Sequence, residues 1–205
     1  MSVFVVANPK GGVGKSTLST QLAGGLAVRG QAVALGDLDP QQSAQLWLGL
    51  RPPQAAAIQP WPVTPGALGR PPKGVDHAVL DTPAGLSGGD LKDVLKQADK
   101  VIVPLQPSVF DLYATRAFLD QLAGMKRAQG VDIAIVGMRV DERTIAADRL
   151  REFVDSLGLP YLTDLRNTQN YVHLAAQGLT VFDVAPGRVE KDLQQWQPVL
   201  AWLDA

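Results

Sequence analysis

The sequence contains no cysteine among its 205 residues. This absence excludes disulfide bonds, thiolate zinc sites, iron–sulfur clusters and cysteine nucleophiles. No apolar run approaches the roughly 18 residues that a membrane span needs. The opening residues, SVFVVA, are strand-like, and no basic leader precedes them. We therefore expect a cytoplasmic protein.

An excess of charge of either sign is also missing. There are 19 Lys and Arg residues against 20 Asp and Glu residues, giving a formal net charge of −1. The total charge therefore supplies no standing attraction to nucleic acid or to an acidic membrane. No Lys or Arg follows Lys191, which argues against a basic membrane-binding tail. Length and an ordinary content of apolar and charged residues predict one globular domain over residues 1–205.

Short apolar runs alternate along the chain with longer segments of helical pattern. The predicted strands are Ser2–Ala7, Ala32–Gly36, His77–Leu80, Lys100–Leu105 and Asp132–Met138. The predicted helices are Lys15–Arg29, Gln41–Leu50, Ser87–Gln97, Leu112–Gln129 and Ile145–Leu157. This alternation predicts an α/β fold, with a doubly wound and mostly parallel sheet covered by helices on both faces. Ligands bind beyond the carboxyl ends of the strands in such sheets, so the loops there are the first candidates for a site.

Two segments interrupt this rhythm. The stretch from Arg51 to Lys73 holds seven of the 15 prolines, which excludes a regular helix and favours an extended excursion. We favour an insertion at the edge of the sheet, with a partner-binding arm as the alternative. Near the C-terminus, an apolar stripe at helical spacing predicts a helix packed on the sheet, or else an oligomer contact. Its members are Val189, Leu193, Trp196, Leu200 and Leu203. Pro198 lies inside this stripe and is expected to kink or split the helix.

The run GGVGKST lies between the first apolar strand and a helical pattern. Glycines let successive backbone N–H groups converge on phosphate oxygens, and the helix N-terminus adds positive partial charge. We therefore predict that this run is a phosphate-binding loop, in which Lys15 bridges the terminal phosphates and the Ser16 hydroxyl binds Mg²⁺. The strict GxxxxGK[ST] pattern is not met, because position 9 is proline. The predicted loop residues are Gly11, Gly12, Val13, Gly14, Lys15, Ser16 and Thr17.

Acidic residues follow the next two strands of the predicted sheet. ALGDLDPQ places Asp37 and Asp39 at the end of one strand, and HAVLDTPAG places Asp81 at the end of the next. Nucleotide-bound Mg²⁺ takes oxygen ligands and keeps several waters, so Asp81 fits an acid that holds a metal water. Asp39 fits a residue that orients or deprotonates the attacking water. The alternative for each acid is a cap of a turn or a helix.

These motifs resemble those of the deviant-Walker ATPases of the ParA/MinD type. KGGVGKST is similar to their signature loop, DLDPQ to their second motif and VLDTP to their Walker B motif. VPLQPSVFDL and RNTQNYVHLAAQGLTVFD resemble their later segments, so the similarity covers essentially the whole chain. The chain is most similar to the small, ParF-like ParA proteins, which partition plasmids or position other cargo. The resemblance implies a P-loop NTPase fold with ATP and Mg²⁺ as cofactors.

The resemblance also implies roles for individual residues. Lys10 matches the signature lysine, which crosses an ATP-sandwiched dimer interface to contact the partner's nucleotide. Asp39 matches the residue that positions the catalytic water, Asp37 supports the metal shell, and Asp81 holds Mg²⁺ through water. Thr17 is expected to reach the α-phosphate. Hydrolysis is expected to be slow and to be stimulated by an adaptor protein of the ParB kind.

DNA is the partner whose binding residues the sequence defines least. Small ParA proteins bind DNA non-specifically as ATP dimers, which would place this protein on the nucleoid when ATP is bound. The basic candidates late in the chain are Arg139, Arg166, Arg188 and Lys191. From Leu112 onward, however, ten Lys and Arg residues stand against twelve Asp and Glu residues. For each candidate, a solvated surface charge or a local salt bridge is an equal alternative.

Three functional interpretations stay open at this point. The first is a ParA-type positioning ATPase that uses the nucleoid as its matrix. The second is an ATP-dependent filament or scaffold that does not use DNA. The third is a small-molecule enzyme on the same scaffold, such as an ATP-dependent ligase. Lys10 together with DLDPQ favours the dimer-switch members of the family over the ligases, and we favour the first interpretation.

Overall fold

The computed structural model describes residues 1–205, apart from the side chain of Arg127. Within this described part, seven strands form one sheet in which every pairing is parallel. In chain order they are β1 (Ser2–Val6), β2 (Val33–Asp37), β3 (Ile58–Trp61), β4 (His77–Asp81), β5 (Lys100–Leu105), β6 (Asp132–Val140) and β7 (Tyr161–Arg166). Their order across the sheet is β3-β2-β4-β1-β5-β6-β7.

Helices cover both faces of the sheet. They are α1 (Lys15–Val28), α2 (Ser43–Leu50), α3 (Gly88–Gln97), α4 (Val109–Ala123), α5 (Ile145–Asp155), α6 (Gln169–Ala175) and α7 (Glu190–Asp204). Short 3₁₀ turns lie at Lys126–Ala128, Val181–Asp183 and Pro186–Arg188. One hydrophobic core forms under α3, α4 and α5, and a second under α1, α2, α6 and α7. The doubly wound α/β prediction is therefore confirmed.

The central strands bring the predicted motifs to one edge of the sheet. Val3 to Val6 of β1 are all buried, as expected for a strand covered on both faces. Val6 lies opposite Asp81 of β4, and Asp37 of β2 lies opposite the same Asp81. β1 lies between β4 and β5. The connection that follows β1 leads to one side of it in the sheet, whereas the connection that follows β4 leads to the other side, and this reversal opens a crevice at the carboxyl edge.

The proline-rich stretch supplies the edge strand β3. This strand pairs with β2 alone, and Pro60 inside it fits an edge because it has no N–H to donate to a further strand. Trp61 is buried, and its indole Nε1–H donates to the Gly69 carbonyl oxygen at 3.2 Å. The stretch thus packs onto the sheet at its edge.

The C-terminal helix was predicted to kink or split at Pro198. α7 runs from Glu190 to Asp204 as one helix, so the split is wrong, and a kink at Pro198 stays a prediction. Proline removes one helical hydrogen bond, but Trp196, Val199 and Leu203 on both sides of it are buried and hold the helix against the sheet. Among the described residues, no helix combines the length and the apolar character needed to cross a bilayer.

Candidate functional site

The loop between β1 and α1 follows the first strand at the carboxyl edge of the sheet. Gly12 and Gly14 have φ angles of 76° and 98°, a region that favours glycine. A side chain at Gly14 would also collide with Met138, whose Cε lies 2.7 Å from the position of an added Cβ. Both glycines therefore have a conformational reason to stand where they do, and Gly14 has a packing reason as well.

The carbonyl groups of this loop are held by neighbouring groups. The Gly85 N–H donates to the Pro9 carbonyl oxygen at 2.9 Å, and the Gln106 side-chain amide donates to the Gly12 oxygen at 3.0 Å. Within the part of the chain that the structure describes, the backbone N–H groups from Gly11 to Thr17 have no protein acceptor. A row of unpaired donors at a helix N-terminus is what a polyphosphate requires, so the loop fits a nucleotide.

Lys15 is buried at the start of α1. Its ammonium donates to the Lys10 carbonyl oxygen at 2.8 Å. Burial lowers the pKa of Lys15, and the negative charges of Asp81 and Asp39 oppose that effect. Two of the three acids that the sequence predicted for this site, Asp39 and Asp81, are therefore close enough to Lys15 for their charges to act on it.

Asp81 lies fully buried at the end of β4. Its Oδ1 accepts a hydrogen bond from the Ser19 hydroxyl at 3.1 Å, while its Oδ2 is buried with no partner among the described residues. Burial raises the pKa of Asp81 to about 7, although the Ser16 hydroxyl opposes this increase. A water of a Mg²⁺ shell would satisfy the orphaned oxygen, so the donor set of Ser16 and Asp81 fits the predicted metal.

Asp37 is engaged with the backbone. Its Oδ1 accepts the Asp39 N–H at 2.9 Å, and its Oδ2 accepts the N–H groups of Ala44 at 2.8 Å and Gln45 at 3.2 Å. The last two bonds satisfy the first turn of α2, so Asp37 caps that helix. Burial raises the pKa of Asp37, and the bonds from the backbone counteract the increase. The capping alternative is thus present in the structure, and a role in the metal shell stays a prediction.

Asp39 is half-buried in the turn that follows β2. Its Oδ1 accepts the Gln41 N–H at 2.9 Å. Gln42 adopts a left-handed conformation, with φ of 51°, and its side-chain amide donates to the carbonyl oxygens of Asp37 and Asp39, both at 2.9 Å. The turn is therefore held by its own side chains, and the negative charge of Asp39 within it acts on Lys15.

Lys10 projects from the other half of the phosphate-binding loop. Its ammonium lies 3.9 Å from Oδ1 of Asp111 on α4, and the two side chains are 41% and 14% exposed. Its backbone N–H donates to Oδ1 of Asn8 at 2.9 Å. Lys10 is thus accessible from outside the subunit, whereas Lys15 is not.

The sequence did not identify several polar residues that shape the site, namely Asn8, Ser19, Gln42, Gln106 and Thr115. Ser19 could have been identified from helical periodicity, because it lies one helical turn after Ser16 and faces the same carboxylate, that of Asp81. Asn8 is detectable as a polar residue that ends an apolar strand. Gln106 and Thr115 meet the loop only through the pairing of β1 with β5, which no local pattern shows.

The predicted DNA contacts fall into two groups. Arg166 forms an ion pair with Asp192 at 2.6 Å, and Asp192 is fully buried, so the salt-bridge alternative is present for Arg166, and its role in DNA binding stays a prediction. Arg139, Arg188 and Lys191 are exposed. Arg139 lies near the end of β6, directly after Met138, and its own φ angle is 53°. This end of β6 is at the edge of the sheet that carries the phosphate-binding loop.

Comparisons with known proteins agree with this geometry. The family model described as CobQ/CobB/MinD/ParA nucleotide binding domain matches residues 4–193. Maintenance of carboxysome distribution protein A of Halothiobacillus neapolitanus is 29% identical over 199 residues, covering 92% of this chain and 91% of that protein. The chromosome-partitioning ATPase Soj of Thermus thermophilus is 30% identical over 182 residues, covering 72% and 73%. The cell division protein MinD of Aquifex aeolicus has the same fold, with a TM-score of 0.77 at 17% identity over 99% of this chain and 97% of that one.

Proposed function

The chain belongs to the family of CobQ/CobB/MinD/ParA nucleotide-binding domains, and from that premise we propose that it is a ParA-type positioning ATPase that dimerises on ATP. In this proposal the ATP dimer binds DNA non-specifically, and hydrolysis releases it. The cargo is either DNA or a protein assembly. Hydrolysis is slow by itself and is stimulated by an adaptor protein. One observation carries the proposal: unpaired N–H groups, Lys15 and the orphaned oxygen of Asp81 converge at the end of β1.

The phosphates occupy the row of N–H groups from Gly11 to Thr17 in this account. Lys15 leaves the Lys10 carbonyl oxygen and turns to the terminal phosphates, an exchange that replaces a neutral acceptor with a charged one. Ser16 and Asp81 are the residues that would hold Mg²⁺, Ser16 through its hydroxyl and Asp81 through the carboxylate oxygen that has no protein partner among the described residues. When bound, Mg²⁺ neutralises charge on the phosphate oxygens and also favours the ionised form of Asp81. Asp39 orients the attacking water.

Lys10 is the residue that makes ATP a dimerising ligand. It is exposed beside the phosphate-binding loop, whereas the phosphates of its own subunit are served by the buried Lys15. An ammonium supplied by the second subunit stabilises charge that builds on the phosphoryl oxygens only when the two subunits have docked. The ATP-bound dimer then gains contacts that the monomer lacks, which shifts the population towards the dimer.

The oligomeric state tests this proposal. We would measure molar mass by sedimentation with ATP and Mg²⁺, with ADP, and without nucleotide. Wild type is expected to dimerise with ATP alone, Lys15→Ala to lose nucleotide binding, and Lys10→Ala to bind ATP but stay monomeric. Lys73→Ala is the matched control, since Lys73 is exposed and precedes β4 at the opposite edge of the sheet. A wild-type protein that stays monomeric with ATP, or a Lys15→Ala variant with normal affinity, contradicts the proposal.

A further inference from the structure

Asn8 is a buried polar residue whose hydrogen bonds are all internal to the protein. Its side chain is 2% exposed and lies directly after β1. The amide Nδ2 donates to the Pro104 carbonyl oxygen at 2.8 Å and to the Thr115 hydroxyl at 3.0 Å. Its Oδ1 accepts the Lys10 N–H at 2.9 Å. This one side chain therefore joins the first turn of the phosphate-binding loop to β5 and to α4.

Helix α4 contacts Lys10 a second time through Asp111. Asp111 lies four residues before Thr115, so the two side chains share one face of the helix. Thr115 positions the backbone of Lys10 through Asn8, and Asp111 lies 3.9 Å from the Lys10 ammonium. Side chains on the same face of α4 thus act on both the backbone and the ammonium of Lys10.

We propose that Asn8 and Thr115 are positioning residues for Lys10. They fix the direction in which Lys10 leaves the loop, and they act through Lys10 without touching nucleotide or metal. This inference rests on the proposed function, in which Lys10 reaches the nucleotide of the second subunit. A lysine whose backbone is held in place loses less conformational freedom when it makes that contact, so the contact stabilises the dimer more.

The two halves of the loop are anchored differently: Asn8 holds the Lys10 half, whereas the Lys15 half belongs to α1. An effect on the position of Lys10 can therefore be measured separately from an effect on nucleotide binding. Lys15, Ser16 and Thr17 stand on α1, and neither Asn8 nor Thr115 forms a hydrogen bond with them within the described residues. Removing the Thr115 hydroxyl leaves one Nδ2 hydrogen of Asn8 unpaired but keeps its bond to Pro104. ATP affinity of the monomer should therefore be retained while the geometry of Lys10 is lost.

The test compares Thr115→Val with Thr115→Ser. Valine has the size of threonine without the hydroxyl, while serine keeps the hydroxyl. We expect Thr115→Val to weaken ATP-dependent dimerisation about tenfold, the effect of one buried donor left unpaired. Thr115→Ser should restore it. Affinity of the monomer for a fluorescent ATP analogue should stay within about twofold in both variants. Asn8→Ala should have a larger effect of the same kind.

The Lys10→Ala background separates positioning from a general loss of stability. Because Lys10→Ala is itself expected to stay monomeric, the readout in that background is the affinity of the monomer for ATP, which adding Thr115→Val should change by no more than about twofold. Tyr161→Phe is the stability control, since it removes a partly buried hydroxyl that donates to Asp164 on the edge strand β7, and it should leave dimerisation unchanged.

Each result has one consequence. If Lys10→Ala alone dimerises normally with ATP, the proposed role of Lys10 is wrong. If Lys10→Ala abolishes dimerisation but Thr115→Val dimerises like wild type, Lys10 acts across the interface and the positioning inference is wrong. The inference is also wrong if Thr115→Val and Tyr161→Phe weaken dimerisation equally. Should Asn8→Ala fail to fold, the Thr115 pair still decides between these outcomes.

Discussion

The carboxylate of Asp81 is fully buried, and one of its oxygens has no protein partner among the described residues. Burial raises its pKa from an ordinary value of 3.8 to about 7. Between these two values the folded protein holds a proton that the unfolded chain releases. The stability of the nucleotide-free protein should therefore fall as the pH rises through this window, and the loss should be complete above it.

Asp81→Asn removes this cost because asparagine stays neutral. Without nucleotide and with chelator, we expect the variant to be more stable than wild type at both pH values, with a gain roughly 1–3 kcal/mol larger at pH 8 than at pH 5, because pH 5 lies inside the window in which the wild type loses stability. Unfolding by denaturant at the two pH values measures the difference. The variant should also lose the extra stability that Mg²⁺ and ATP give the wild type. An equal stability difference at both pH values would show that the charge of Asp81 is not its cause.

Asp39 has a predicted role that can be separated from folding. Asp39→Ala should keep ATP binding and lower hydrolysis by about a hundredfold or more, because the attacking water is no longer oriented. The ATP dimer should then persist for hours, which sedimentation after removal of free nucleotide detects. Asp155→Ala, an exposed acid at the end of α5, serves as the control. A monomeric Asp39→Ala variant in the presence of ATP contradicts this role.

At the scale of single elements, α2 depends on Asp37 for its first turn. Asp37→Ala leaves the N–H groups of Ala44 and Gln45 without their acceptor, and we expect a loss of about 0.5–2 kcal/mol in the free energy of unfolding. The dependence of hydrolysis on Mg²⁺ distinguishes the two roles of this acid. If Asp37 is a cap alone, the Mg²⁺ concentration for half-maximal activity stays unchanged. A several-fold increase would place Asp37 in the metal shell.

The elements that the sequence predicted well have strong periodicity or nearly continuous apolar runs. β1, β4 and β5 are buried on both faces, and their predicted bounds agree with the structure to within a residue. β7 and α6 were not predicted as separate elements. Most residues of β7 are only half-buried, so it lacks the continuous apolar run that identified the inner strands. α6 is too short, at seven residues, for an apolar stripe to stand out.

The site was predictable to the extent that its residues follow one another in the chain. The phosphate-binding loop and the three acids lie at strand ends, so a parallel sheet brings them to one edge. The contacts of Asn8 with Thr115 and of Lys10 with Asp111 depend on how α4 packs beside β1, and no local pattern contains that information. The capping bonds of Asp37 required the position of α2.

At the scale of the whole molecule, net charge alone does not predict binding to nucleic acid. The formal net charge of −1 leaves any DNA contact to a local surface. Arg139, Arg188 and Lys191 are exposed, while Arg166 is held by Asp192. Dimerisation doubles whatever surface one subunit offers, so we expect affinity for DNA to depend on ATP through the dimer.

The salt dependence of that binding identifies the contacts. Arg188→Ala and Lys191→Ala should each weaken binding about equally on any sequence and make the dependence of affinity on salt shallower, by roughly one phosphate contact per subunit. Fluorescence anisotropy with a labelled duplex at several salt concentrations measures the slope. Lys73→Ala, at the opposite edge, should leave the slope unchanged. Equal slopes in all three variants would exclude the α7 end of the molecule from the DNA contact.

The most direct test of the central claim is the binding of wild type and Lys10→Ala to a non-specific duplex with ATP, with ADP and without nucleotide. We expect wild type to bind with ATP alone, added salt to weaken this binding, and Lys10→Ala not to bind although it still takes up ATP. Binding that is equal in the three nucleotide states, or that survives in Lys10→Ala, would contradict a DNA-bound dimer switch. An ATP dimer that ignores DNA would instead support a scaffold.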